Sequence, residues 1–291
     1  MERTVNGLSS TDYVYWSSPL VQFNVQDISS ATDSELIYQW IPTIGNNYGN
    51  WQSVSGNMTI GKGNIVRGLE TTSPANTARF TGVPNNGLIS NVPIERGTYG
   101  LLPGEIGYFN SNGVWVAPED DNWNLIGNPY PSAISANQFT NNNPNIDGTI
   151  YLWTHASSPN TTNGDPFYND FEYNYNPSDY IEHNNTGSNP PGTNDLYIAS
   201  GQAFFVLMLD NASQNEYVSF SNTMRSKNYN NTNFYGPNLE YDDTNSTNTF
   251  VEKNRIWLDL ITSDNLASSI LIGYIEGATD DKDRLYVCYE C

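Results

Sequence analysis

The chain has 291 residues, of which 37% are hydrophobic, so it can bury cores of ordinary size and its length fits two domains better than one. Only 11 basic residues stand against 31 acidic ones, and the net charge of −20 would repel a nucleic-acid backbone or an anionic membrane surface. No segment approaches the roughly 20 apolar residues that span a bilayer. We therefore predict a soluble chain that neither binds nucleic acid nor inserts into a membrane.

Strands are predicted along most of the chain. The 20 Tyr, 11 Phe and 23 Gly lie among many Asn, Ser and Thr, which favours β-strands joined by tight turns and leaves little helix. Apolar and polar residues alternate in short runs that end in turn residues. In chain order the predicted strands are 13–16, 37–41, 64–69, 77–81, 114–117, 122–126, 149–154, 203–209, 217–220, 255–261 and 269–275.

A set of four motifs occurs twice in the same order. From Pro19 to Trp40 is 21 positions and from Pro129 to Trp153 is 24, so the spacing is nearly preserved. Repetition at this period is typical of modular proteins. The first copy reads YWSSP (15–19), IYQW (37–40), GKGNIVR (61–67) and ARFTGVPNNG (78–87), and the second reads LIGNPYP (125–131), IYLW (150–153), SGQAFFV (200–206) and VSFSNTMR (218–225).

This repeat predicts an all-β fold of two tandem β-sandwich modules, jelly-roll-like, that arose by internal duplication. The first module would be residues 1–118 and the second residues 119–249. Residues 250–291 would complete the second module or begin a truncated third one, since the strand at 254–260 is similar to the segment 122–128.

The two copies differ most in one interval. Trp40 to Ile65 is 25 positions, whereas Trp153 to Phe204 is 51, when Phe204 is matched with Ile65. Residues 157–194, rich in Asn, Pro, Gly, Tyr and Asp, are therefore predicted to be an exposed insertion, and the Asn-rich residues 226–249 a linker.

Two short motifs carry structural expectations. Tyr130 lies between Pro129 and Pro131, so we expect its ring to be fixed against the sandwich edge and its hydroxyl to be bonded. Phe204 and Phe205 are consecutive residues of a predicted strand, and their side chains should point to opposite faces, one to the core and the other to the outer side or a partner module.

Eight motifs form a set along the chain: MTIGKGNIVR (58–67), FTGVPNNG (80–87), WNLIGNPYPSAI (123–134), GTIYLWTH (148–155), IASGQAFFV (198–206), VSFSNTMR (218–225), RIWLDL (255–260) and LIGYIEGATDDKD (271–283). Together these motifs resemble a β-rich region of large bacterial cell-surface and secreted proteins that are exported by the type IX secretion system. The resemblance implies a region that lies before the C-terminal sorting domain, in chains that include gliding-type adhesins. It covers most of residues 13–283, although 285–291 lack the continuation into a sorting domain.

Catalytic chemistry has little support in the sequence. Of the two histidines, His155 follows a strand and His183 lies in the predicted insertion, where we expect it to be solvated. Nucleophile-elbow, phosphate-loop and zinc-protease motifs are not found. We therefore predict that the chain is not an enzyme.

Binding residues can be named for two kinds of ligand. Flat aromatic rings beside amides suit a saccharide, and the insertion offers Tyr168, Tyr173, Tyr175 and Tyr180, although these rings could instead cover the sandwich. Carboxylates at a loop suit calcium, the one cofactor considered, although a solvated acidic turn fits them as well. The calcium candidates are Asp280, Asp281 and Asp283, and the role of Cys288 and Cys291 is left open.

From these patterns we expect a noncatalytic structural or adhesin-type module that is secreted or displayed at the cell surface. The alternative is a carbohydrate-binding module of a secreted protein. The expected partners are an extracellular glycan or another surface protein.

Overall fold

The structure is a computed structural model and is almost entirely β. Its described residues form nineteen strands and one seven-residue α-helix, which confirms the predicted all-β class with little helix. The described residues are 1–6, 8, 12–45, 49–68, 75–97, 108–109, 115–116, 122–154, 179–189, 195–209, 211–232, 234, 255–261 and 267–273.

The first half contains a four-stranded and a two-stranded antiparallel sheet. The four-stranded sheet has the order β2-β5-β3-β4, and β1 pairs with β6. Short 3₁₀ helices lie at Val25–Ile28 and Ser34–Leu36. The strands are β1 (Glu2–Asn6), β2 (Tyr13–Trp16), β3 (Ile37–Ile41), β4 (Asn50–Ser53), β5 (Asn64–Arg67) and β6 (Ala75–Arg79).

The second half contains one helix and several sheets. Its elements are β7 (Ile89–Glu95), β8 (Tyr108–Phe109), β9 (Trp115–Val116), β10 (Trp123–Gly127), β11 (Ile134–Ser135), helix α1 (Ala136–Asn142), β12 (Ile150–Trp153), β13 (Tyr180–Asn184), β14 (Gly187–Asn189), β15 (Tyr197–Ile198), β16 (Ala203–Leu207) and β17 (Asn215–Phe220). Its five-stranded sheet has the order β10-β16-β12-β13-β14. Three two-stranded sheets pair β7 with β17, β8 with β9, and β11 with β15.

A separate hairpin follows. β18 (Arg255–Ile261) pairs with β19 (Ala267–Gly273) in a separate two-stranded sheet. Strands were predicted here at 255–261 and 269–275.

The two halves share one strand order. When the repeated motifs are matched, β2-β5-β3-β4 corresponds strand by strand to β10-β16-β12-β13, and the ribbon β1-β6 corresponds to β7-β17. Even the helices match, because the 3₁₀ helix after Asn24 and helix α1 after Ser135 each begin at a side chain that caps the first turn. The two halves thus have the same strand order and the same strand pairing.

The strand register corrects the alignment of the repeats by one residue. Tyr15 lies opposite Ile65, and Leu125 lies opposite Phe205. Ile65 therefore corresponds to Phe205, whereas the sequence motifs matched it with Phe204. The corrected match depends on which residues lie opposite each other in the paired strands, and the motifs carry no information on this pairing.

The five-stranded sheet lies between two apolar cores. Successive side chains of its strands point to opposite faces, so each face contributes to a different core. Phe205, Tyr151 and Leu125 join a core with first-half residues, whereas Phe204 and Ile150 join the second core with β7, β17 and α1. The expectation for the two phenylalanines is thus met, with Phe205 facing the first half.

Reciprocal main-chain bonds join the halves at a seam between them. Ser17 N donates to Gly201 O at 2.8 Å, and Gly127 N donates to Gly61 O at 2.9 Å. The backbones approach so closely that a Cβ on Gly127 would stand 2.4 Å from Ser17 Cβ. The glycine of the LIGNPYP motif is therefore required by the seam.

Three residues at the start of the predicted linker, Tyr229, Asn231 and Phe234, contact the two halves. Tyr229 stacks on Tyr197 with ring centroids 4.3 Å apart, and Phe234 packs against Trp16 at 4.7 Å. Arg3 donates to the carbonyl of Asn231. The start of the predicted linker is therefore packed against the folded chain, because its aromatic residues contact rings from both halves.

Replacement of Phe205 should destabilise both halves together. Its side chain is 7% exposed in the shared core, and a Phe→Ala change in a core costs about 3–5 kcal/mol. We expect Phe205→Ala to lower the melting temperature in a single shifted transition, measured by calorimetry.

Val83→Ala is the matched control, since Val83 is 70% exposed and its truncation should change stability by no more than about 0.5 kcal/mol. A Phe205→Ala variant that melts in two steps, with one step unchanged, would contradict the shared core.

Candidate functional site

An aromatic cluster fills the space between the four-stranded and five-stranded sheets. Phe205 is at its centre, with Tyr15 and Trp40 in edge-to-face contact at 5.8 and 5.5 Å. Such pairs contribute beyond their buried area, by about 0.5–1.5 kcal/mol each. The members of this inter-sheet aromatic cluster are Tyr15, Trp40, Trp51, Trp153, Tyr180 and Phe205.

The two tryptophans of the repeated motifs bond across the cluster reciprocally. Trp40 Nε1 donates to the carbonyl of Trp123 at 2.8 Å, and Trp153 Nε1 donates to the carbonyl of Tyr13 at 3.2 Å. Each indole thus satisfies its N–H on the opposite half of the chain. This bonding explains why both copies of the motif end in Trp.

Tyr180, one of the predicted saccharide residues, is packed into this cluster. Its ring contacts Trp153 at 4.9 Å, and its hydroxyl is 2.7 Å from that of Tyr15. Burial raises the pKa of Tyr15 well above its ordinary value, and the bond to Tyr180 opposes this only in part. Tyr180 is half-buried, so only part of its ring could reach a ligand.

The segment 155–178 begins and ends beside the cluster. Thr154 N and Thr154 Oγ1 both donate to the carbonyl of Asp179, at 2.9 and 2.6 Å. These bonds join the two ends of the segment. The other saccharide candidates, Tyr168, Tyr173 and Tyr175, belong to this segment and lie outside the described residues.

The calcium candidates also lie outside the described residues. Asp280, Asp281 and Asp283 follow β19 in the sequence, as do Cys288 and Cys291. Within the described ranges, no three His, Cys, Asp or Glu side chains come together in a way that could hold a metal ion.

His183 is buried, so the expectation that it is solvated is wrong. It lies on β13 with no exposed surface, and its Nδ1 and Nε2 are 2.7 Å from Ser188 Oγ and 2.9 Å from Asn137 Oδ1. The predicted exposed insertion 157–194 is therefore wrong for 180–189, where β13 and β14 extend the sheet. The Asn-rich composition concealed these strands.

Tyr130 occupies the position predicted for it. Its side chain is fully buried, and its hydroxyl donates to the carbonyl of Gly87 at 2.5 Å. The guanidinium of Arg225 lies over the ring, 4.6 Å from its centroid. The proline-flanked tyrosine is thus a structural anchor.

Lys62 and Asn124 form polar contacts at the seam that the sequence patterns do not predict. Lys62 Nζ donates to the carbonyl of Pro93 at 3.0 Å, and the side-chain amide of Asn124 bonds the backbone of Glu95 at 2.6 and 3.0 Å. Burial lowers the pKa of Lys62 to about 8, and the charge of Glu95 opposes this shift. The motif GKGNIVR (61–67) does not indicate this contact, because the contact depends on β7 lying against the start of β5.

The chain matches the family model DUF8693, a domain of unknown function, over residues 1–290. It therefore belongs to this family. No curated protein and no solved structure matches it. Among the helices of the described residues, none has the length and apolar character needed to cross a membrane.

Alkaline pH should destabilise the protein through its buried tyrosines. Burial raises the pKa of Tyr13 and Tyr130 to about 12 and that of Tyr15 further, so above pH 10 the folded chain holds phenolic protons that the unfolded chain releases. Stability should therefore fall as pH rises from about 10.5, the ordinary pKa of a lysine such as Lys62, to about 12. Melting temperatures across this range measure the fall.

Tyr15→Phe should make this fall smaller, because it removes one of the buried phenols. Tyr217→Phe is the control, since Tyr217 is 57% exposed, and it should follow the parent protein. An equal fall in all three proteins would contradict the assignment to Tyr15.

Proposed function

We propose that the chain is a noncatalytic scaffold of an exported bacterial cell-surface protein, with a structural or adhesin-type role. The observation that carries the proposal is the shared aromatic core, which joins the two halves by reciprocal bonds. A unit of this kind holds its loops in fixed positions, as a display module requires. The resemblance to type IX secreted proteins supports the cellular context.

The polar side chains of the described residues support the same role. His183, on β13, forms hydrogen bonds with Ser188 on β14 and with Asn137 on α1, and these bonds hold the three elements together. Asp195 accepts from Ser135 Oγ and from Asn137 N, at the start of α1. Groups that could do acid–base chemistry are thus engaged in structural bonds.

The net charge fits an exposed position. A charge of −20 keeps neighbouring copies apart and keeps the chain in solution at high local density. The only cysteines are Cys288 and Cys291, so residues 1–287 depend on packing and hydrogen bonds for their stability.

Limited proteolysis of intact cells that carry the native gene tests the proposal. Peptides of this chain should be released from the cell surface and identified by mass spectrometry, and deletion of the gene should reduce cell attachment. A cytoplasmic marker protein that stays intact is the control. Protection of the chain until the cells are lysed, or turnover of a substrate by the purified chain, would contradict the proposal.

Carbohydrate binding is the second candidate. The segment 155–178 contains Phe167, Tyr168, Phe171, Tyr173 and Tyr175 among Asn and Asp residues, and its ends are joined beside the half-buried Tyr180. Aromatic rings and amides presented from one fixed base suit a sugar face and its hydroxyls.

A glycan array separates this candidate from the first. If the segment binds sugar, the purified chain should retain a defined glycan, and Tyr173→Ala with Tyr175→Ala should abolish the signal. Tyr217→Ala should leave it unchanged, because Tyr217 lies on β17 and not in the segment 155–178. No glycan signal, or a signal that survives the double change, would remove the candidate.

A further inference from the structure

A short stretch of the chain lies against both halves. We call it the strap, residues 229–232 and 234. Tyr229 stacks on Tyr197 with ring centroids 4.3 Å apart, and Phe234 packs against Trp16 at 4.7 Å. Aromatic contacts therefore hold both ends of the strap.

Asn231, in the middle of the strap, accepts hydrogen bonds from two residues of the folded chain. Its main-chain carbonyl accepts from Arg3 Nη1, and its Oδ1 accepts from Ser200 N at 2.8 Å. Arg3 Nε donates to the carbonyl of Ser200 at 2.9 Å, so these two residues are held together. Arg3 and Ser200 thus present hydrogen-bond donors to the strap, and Asn231 supplies the oxygen acceptors.

These bonds do not satisfy the guanidinium of Arg3. The residue is 9% exposed, and its Nη2 is buried and has no hydrogen-bond partner among the described residues. In that part of the chain it also forms no ion pair. The ring of Phe234 lies 5.8 Å from the guanidinium and attracts the charge only weakly. Burial lowers the pKa of Arg3 below its ordinary value, as expected for a cation without a counterion. A carboxylate is the group that this position lacks.

We propose that the strap occupies a docking site for an extended segment of a partner protein that carries one carboxylate. The partner segment has Asp where the strap has Asn231, and an aromatic residue three positions later, where the strap has Phe234. Asp has the shape of Asn, so its carboxylate accepts from Ser200 N in the same way and places a negative charge beside Arg3. The aromatic residue packs on Trp16.

The strap can leave this position without breaking a sheet. None of its described residues belongs to a helix or a strand, and Thr232 is exposed. Arg3 lies on β1 and Trp16 on β2, and both strands stay paired with their neighbours. The donors and the aromatic contact thus remain in place for another occupant.

The carboxylate decides the competition between the strap and the partner segment. The strap is joined to the chain and so competes at a high effective concentration. A carboxylate forms shorter and stronger hydrogen bonds with a guanidinium than a neutral carbonyl does. The ion pair with Arg3 is therefore the advantage that the partner segment holds over Asn231.

Peptide binding to the full chain tests the proposal. The probe is a labelled peptide of residues 226–236 that carries Asn231→Asp and has blocked ends, and the unchanged peptide is its control. Lys227 keeps the probe neutral, so the net charge of the chain does not repel it. By fluorescence anisotropy we expect the probe to bind at least about tenfold tighter than the control peptide. Phe234→Ala in the chain should strengthen the binding of the probe, because it weakens the strap.

Variants of the chain assign the preference to Arg3. Arg3→Met should remove the preference for the probe, whereas Arg79→Met, a change at an exposed arginine of β6, should keep it. Equal binding of the two peptides, no binding to the Phe234→Ala chain, or a preference that persists in Arg3→Met would overturn the proposal.

The stability of the full chain gives a second test that keeps Arg3. Asn231→Asp should raise the melting temperature, because it gives the buried guanidinium a carboxylate. Asn228→Asp adds the same charge at an exposed position and should change the melting temperature little. An Asn231→Asp chain that melts at or below the parent temperature would also overturn the proposal. These outcomes leave the scaffold proposal standing, because that proposal rests on the shared core and not on the strap.

Discussion

The reciprocal pairing of the two halves is the constraint on which the rest of the structure depends. Each half places a motif tryptophan against a main-chain carbonyl of the other, and each completes a main-chain bond at a glycine of the other. Because the bonds occur in matched pairs, neither half can move without breaking contacts at two places. The five-stranded sheet, with one face in each core, is buried as a consequence.

The packing at the seam also explains why some matched positions of the repeat carry different residues. Gly127 leaves room for Ser17, while the first copy has Ser17 itself at the matching position. Phe205 enters the aromatic cluster where the first copy supplies the smaller Ile65. One large and one small residue at matched positions let two similar sheets pack face to face, as interdigitated cores require.

Local patterns predicted part of this fold. The segments YVYW and IYQW predicted strands whose bounds agree with β2 and β3, because β-branched and aromatic residues favour strands. β4 (NWQS) and β13 (YIEHN) were missed, since their polar composition resembles a loop and their pairing is set by strands far away in sequence. The helix ANQFTNN was missed because its stability comes from the Ser135 cap and buried Phe139. The seam contacts could not be predicted, because they depend on long-range register.

Native-state hydrogen exchange tests the central claim most directly, since it reports the opening free energy of each strand separately. If the halves form one unit, the slowest amides of β5 and of β12 should exchange with the same free energy, equal to that of global unfolding. Two distinct free energies, with one half opening while the other stays protected, would show that the halves fold independently and would contradict the account.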